Sequence, residues 1–130
     1  MVESKKVDAE IIADLCAAEA AEKKAENIVT LKVTQLTTIA DYFVLCTANS
    51  EPHLNAVMEG ISRKAREVLE VRPISVNGTP ASQWILLDFG AVLVHIMTPE
   101  MRDRYQLESL WGDAPKHEAV KKLEEMASSK

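Results

Sequence analysis

The sequence predicts an α/β fold, a mixed β-sheet of about five strands covered by helices, and three observations carry that expectation. Two long stretches hold apolar residues at helical spacing. Short β-branched or wholly apolar runs separate them, and some are apolar on both faces, as strands beneath helices are. Two of these runs, Trp84–Asp88 and Val92–Met97, are parted only by Phe89-Gly90-Ala91, which makes them an antiparallel hairpin and the sheet mixed.

The elements follow in order. Val7, Ile11, Leu15 and Ala18 recur at a spacing near four, so a first amphipathic helix is expected over residues 7–24. Asn27 offers a stop, and IVTLKV (28–33) is β-branched and short, a strand. A polar connector leads to YFVLCTA (42–48), typical of a strand buried on both faces. Asn49 and Ser50 are candidate N-caps, and Pro52 is tolerated in a first helical turn. Leu54, Val57, Met58, Ile61, Ala65, Val68 and Leu69 then hold one stripe, the core face of a second helix over residues 51–70. Residues 73–76 form a short strand, with Pro73 marking a strand start or an edge. Asn77-Gly78 opens a turn-rich loop, the hairpin follows, and Thr98-Pro99-Glu100 starts a third helix with an N-cap, a proline at N1 and an acid in the first turn. Met101 and Tyr105 lie on one side of that helix. Residues 1–115 make one domain; residues 116–130 are a tail, expected as a frayed or loosely docked helix.

Composition narrows the function. At 130 residues the chain can bury a core without disulfides or a structural metal. Cys16 and Cys46 sit in apolar patterns with no CxxC spacing, which favours buried thiols in a reducing compartment over a disulfide or zinc site. No apolar run of about 18 residues exists to span a membrane. The N-terminus lacks the apolar core of a signal peptide, so a cytoplasmic protein is expected. A formal net charge of -5 argues against binding through nucleic-acid phosphates and allows a basic protein partner.

Familiar catalytic sets are missing. Gly60, Gly78, Gly90 and Gly112 are too scattered for a phosphate-binding loop or a dinucleotide fingerprint. No strand carries Asp-x-Asp to hold magnesium. Ser82, His95 and Asp88 supply the residue types of a triad, but Ser82 stands in no nucleophile elbow. His95, alone among apolar neighbours, reads as a hydrogen-bonded structural histidine, and His53 and His117 make no metal spacing with it. No metal or cofactor is expected. Trp84 opens a strand after a polar turn, either as an exposed interface anchor or as core; spacing alone does not choose. Trp111 is either a clamp holding the tail or part of a contact surface. Arg102, Asp103, Arg104 and Glu108 read as a solvated helix face.

The ordered series IADYFVLCTANS (39–50), WILLDFG (84–90), VLVHIM (92–97) and RYQLESLWGDA (104–114) resembles the ribosomal silencing factor family, also called the Iojap family, over roughly residues 7–114. The resemblance implies a sheet with helices on both sides, nucleotidyltransferase-like without the catalytic carboxylates. It implies a non-enzymatic translational repressor that binds the large ribosomal subunit through ribosomal protein uL14 and blocks joining of the small subunit when nutrients are short. Little direct nucleic-acid contact follows, and a homodimer is possible in the free state. Carried over by position, the uL14 surface takes in Trp84, Ile85 and Asp88, with Arg102, Tyr105 and Leu107 near the third helix. His95, Trp111 and Asp113 match positions that support the sheet and tail. Gln83 and Ala91 stand where the family often has acids, which lowers the electrostatic share of the contact. Two other readings remain: a nucleotide-handling enzyme on a nucleotidyltransferase-like fold, and a structural homodimer using the same apolar surface.

Overall fold

The computed structural model describes residues 8–34 and 40–106. Its elements are α1 (Ala9–Glu22), β1 (Glu26–Lys32), β2 (Tyr42–Thr47), α2 (Glu51–Lys64) continued by a π-helical turn (Ala65–Leu69), β3 (Ser75–Asn77), a 3-10 turn (Pro80–Ser82), β4 (Trp84–Asp88), β5 (Val92–Met97) and α3 (Pro99–Tyr105). The sheet order is β1-β2-β5-β4-β3. β2 and β5 run parallel at the centre, and the pairs β1–β2, β4–β5 and β3–β4 are antiparallel. The mixed five-stranded sheet expected from the sequence is therefore the sheet observed.

Alternation along the central strands divides the core in two. Val44, Cys46, Ile85, Leu87, Val94 and Ile96 turn to one face, under α1 and α2. Phe43, Leu45, Trp84, Leu86, Leu93 and Met97 turn to the other, where Met101 and Tyr105 of α3 pack. Helices thus lie on both sides. Each fully buried Leu, Ile, Val or Phe contributes roughly 1.5–3 kcal/mol, so these two layers supply the main drive to fold.

Two helix readings need correction. In α1 the buried residues are Ile12, Ala13, Cys16, Glu19 and Ala20, while Ile11 and Ala18 are exposed. The helix is alanine-rich around much of its circumference, so spacing alone does not select its inner face. α2 begins as expected, with the Ser50 hydroxyl accepting from the His53 N–H at 3.2 Å. Its inner residues Leu54, Val57, Ile61 and Ala65 are buried, but the wider π-helical turn changes the phase, and Val68 emerges exposed.

α1 and α2 touch closely at Gly60, where an added Cβ would meet the flexible Lys23 side chain at 2.6 Å. His53 ties the same helices together: Nδ1 accepts from the Asn49 N–H at 3.1 Å, and Nε2 donates to the Lys23 carbonyl at 2.8 Å. Before β4, Gly78 has φ 86°, and a Cβ there would overlap the Trp84 carbonyl oxygen. Only glycine fits both conditions.

Candidate functional site

The approach to β4 is fixed locally. Thr79 and Ser82 cap each other across the 3-10 turn, each side-chain oxygen accepting from the other's backbone N–H. Gln83 then takes a left-handed conformation, φ 69°, and its carbonyl accepts from the Thr98 N–H at 3.1 Å. This turn sends Trp84 into the sheet with its ring pointing inward. Trp84 is 1% exposed.

The ring has a specific partner. Its Nε1–H donates to His95 Nδ1 at 3.1 Å, and the Tyr105 ring lies against it at a centroid distance of 4.9 Å. Phe43 meets His95 edge to face at 5.1 Å. Because indole nitrogen only donates, His95 must accept at Nδ1 and carry its proton on Nε2. That Nε2–H is buried without a hydrogen-bond partner among the described residues, an arrangement that costs about 1–3 kcal/mol. Burial first, and then the charge of Arg102, lower the His95 pKa to about 3. His95 is a neutral structural group, in line with its reading as a hydrogen-bonded core histidine.

Arg102 corrects the reading of a solvated helix face. It is 9% exposed, and its Nη1–H donates to the Thr47 hydroxyl at 2.9 Å, joining α3 to the end of β2. Thr98 starts α3 as expected, its hydroxyl accepting from the Met101 N–H at 3.4 Å. The consequence is a buried layer in which two hydrogen-bonded pairs, Trp84–His95 and Arg102–Thr47, sit among apolar side chains.

The residues expected on a contact surface therefore separate. Trp84, Arg102 and Tyr105 gather near the start of β4. Asp88 lies at its far end, four residue steps or about 13 Å away, and Ile85 is buried on the opposite face of the sheet. Trp84 is not an exposed anchor, because Tyr105 and His95 enclose its ring. Asp88 and Tyr105 are partly exposed. Asp88 Oδ1 accepts from the Gly90 N–H at 2.8 Å, so this acid shapes the hairpin turn as well. Leu107, Trp111, Asp113 and the tail lie outside the described residues.

No triad assembles. Ser82 serves its cap, His95 is held by Trp84, and Asp88 turns the hairpin. Among the described residues no three His, Cys, Asp or Glu side chains converge in a way that could hold a metal ion. Cys16 and Cys46 are free thiols, both pushed up to about 12 chiefly by burial, which makes them unreactive. No described helix is long and apolar enough to cross a membrane.

Sequence reasoning missed Phe43 and Thr47 as partners of this layer, and it missed the exposure of Ile74 and Val76 beside β4. The hairpin register was an available signal: with Leu86 opposite His95, alternation places Trp84 on the same face as the histidine.

Comparison with known proteins bears on what this layer supports. The model of the family described as "Ribosomal silencing factor during starvation" matches residues 6–130. The chain is 38% identical over 95 residues to the ribosomal silencing factor RsfS of Halalkalibacterium halodurans, covering 72% of this chain and 80% of the relative. It is 31% identical over 93 residues to mouse "Mitochondrial assembly of ribosomal large subunit protein 1", covering 69% of this chain and 40% of that protein. A crystal structure of a protein from Chromobacterium violaceum superposes with a TM-score of 0.76 at 27% identity, covering 85% of this chain and 92% of the other.

Proposed function

We propose that this chain, which belongs to the ribosomal silencing factor family, binds the large ribosomal subunit through ribosomal protein uL14 and sterically prevents the small subunit from joining. The observation that carries the reading is the family match over residues 6–130, nearly the whole chain. The mouse relative, named for assembly of the ribosomal large subunit, supports the same partner. A net charge of -5 suits a basic ribosomal protein.

The protein acts as a binding repressor in the cytoplasm, not as an enzyme. Among the described residues of the expected surface, Asp88 and Tyr105 are the ones that a partner can reach. Trp84, Ile85 and Arg102 serve that surface from behind, by fixing β4 and α3 in position. A surface held this way is ready before its partner arrives, which lowers the ordering cost of binding.

Co-sedimentation with purified large subunits, followed by addition of small subunits, tests the reading. The chain is expected to pellet with the large subunit and to reduce the fraction of joined ribosomes. Absence of binding, or binding that leaves joining intact, would refute it.

A further inference from the structure

The sheet has two edges, and they are finished differently. β1 carries a bulge between Glu26 and Val29, with Asn27 at φ 50°, and the residues it exposes are Glu26, Asn27, Thr30 and Lys32. Bulges and charged side chains discourage an edge from accepting another strand. β3 differs in what it shows to solvent: Val76 within it is 47% exposed, and Ile74 just before it is 67% exposed. β3 pairs only with β4 among the described strands.

Register gives the two sides of this edge separate chemistry. Val76 lies opposite Leu87, which faces α1 and α2, while Ser75 lies opposite Asp88. Cross-strand partners share a face of the sheet. Ile74 and Val76 therefore lie on one side and Asp88 on the other.

We propose that the outer edge of β3 takes an extended strand from the basic protein this chain meets on the large subunit, an inference that rests on the ribosome-binding reading above. A strand laid along β3 continues the main-chain ladder, and its side chains alternate between the two faces. Apolar residues on one side reach Ile74 and Val76. Lysine or arginine on the other side reaches across Ser75 to Asp88, two strand spacings or roughly 10 Å away. The best match is a strand of alternating apolar and basic residues. β3 itself has three residues and allows few main-chain bonds, so its apolar neighbours carry much of the contact. Arg72, exposed two residues before Ile74, meets the rim, where solvent and salt weaken its repulsion. The net charge of -5 favours a basic partner over a second copy of the same acidic chain.

Co-sedimentation of the 130-residue chain with purified large subunits tests this, using the double variant Ile74→Lys/Val76→Lys, the variant Asp88→Asn, and Thr30→Lys on the β1 edge as a control. These positions are exposed or partly exposed. The carboxamide introduced by Asp88→Asn keeps an oxygen for the Gly90 N–H, so thermal unfolding midpoints stay near wild type. Wild type and Thr30→Lys are expected to bind alike. The double variant binds at least about tenfold more weakly, the loss of a small hot spot, and Asp88→Asn is weaker chiefly at low salt. A folded double variant that binds as tightly as wild type overturns the proposal and leaves the ribosome-binding reading standing. A wild-type chain that does not bind overturns both. Light scattering of the free chain separates the remaining occupant: a mass that doubles with concentration, abolished by the double variant while ribosome binding is unchanged, assigns the edge to a second copy and overturns the proposal.

Discussion

Under α1 and α2 the sheet meets its helices mainly through carbon and sulfur: Val44, Cys46, Ile85 and Leu87 face Ile12, Cys16, Val57 and Ile61. Under α3 the same strands present Thr47, Trp84 and His95 among Phe43, Leu45 and Leu86, and Arg102 reaches in from the helix. An apolar layer accepts side chains of similar volume with small losses. A layer that holds buried polar groups does not, because each hydrogen bond broken there leaves a group carrying its desolvation cost. One face therefore supplies stability, and the other specifies a single arrangement of β4 and α3, the elements that carry the expected contact residues.

The most severe test of that difference is Trp84→Ala. It removes a buried ring together with the N–H that His95 Nδ1 accepts, and is expected to cost about 3–5 kcal/mol by urea unfolding. Ile61→Ala on the other face leaves a cavity alone, with an expected cost of about 3 kcal/mol in the same assay. Conservative changes sharpen the contrast further. Trp84→Phe keeps much of the apolar volume but strands the His95 acceptor, for about 2 kcal/mol, whereas Leu54→Met on the inner face of α2 costs less than about 1.5 kcal/mol. Equal costs for that pair would erase the distinction between the faces.

Acid acts on the polar face as well. His95 has a folded pKa of about 3 against an ordinary value of 6.5, so in between the unfolded chain takes up a proton that the folded chain refuses. Its contribution to stability is whole above pH 6.5 and is lost progressively as pH falls toward 3, with a slope of up to about 1.4 kcal/mol per pH unit. His95→Phe should show a shallower loss of stability between about pH 6.5 and 4, measured by urea unfolding across that range. Gly60→Ala tests the apolar side most gently. The helix gains propensity of up to about 1 kcal/mol, and the Lys23 side chain must swing away from the new methyl. A net change below about 1 kcal/mol in either direction is expected.

Much of this is legible in the sequence. The runs 42–48 and 92–97 are apolar enough to declare central strands, and Thr98-Pro99-Glu100 starts α3 where capping chemistry places it. The inner face of α1 is obscured because alanine fits any side. The π-helical turn after α2 leaves no mark in the spacing, which therefore turns Val68 inward. Spacing along β4 alone does not place Trp84: its face follows from the register with β5, and its burial rests on a hydrogen bond to His95, eleven residues away, and on a ring from α3. Arg102 reads as solvated because charge density on a short helix usually means exposure; its hydroxyl partner, Thr47, lies fifty-five residues earlier. The exposed side chains of Ile74 and Val76 become meaningful only when the strand order puts β3 at the margin.

The parallel pairing of β2 with β5 also bears on how the chain assembles. Tyr42 is registered with Val92 and Thr47 with Met97, each contact spanning fifty residues. Long loops must be closed before such contacts return any stabilisation, and topologies built on them fold more slowly than local ones. During synthesis the centre of the sheet must wait until Met97 has left the exit tunnel, although α1, β1 and β2 are already available. β4 then gains its inner neighbour, and among the described strands β3 pairs only with β4, so the β3–β4 pair joins the sheet through β5. The β3 edge is thus tied to the central pair only after β5 is made, whereas the β1 edge already has its partner β2.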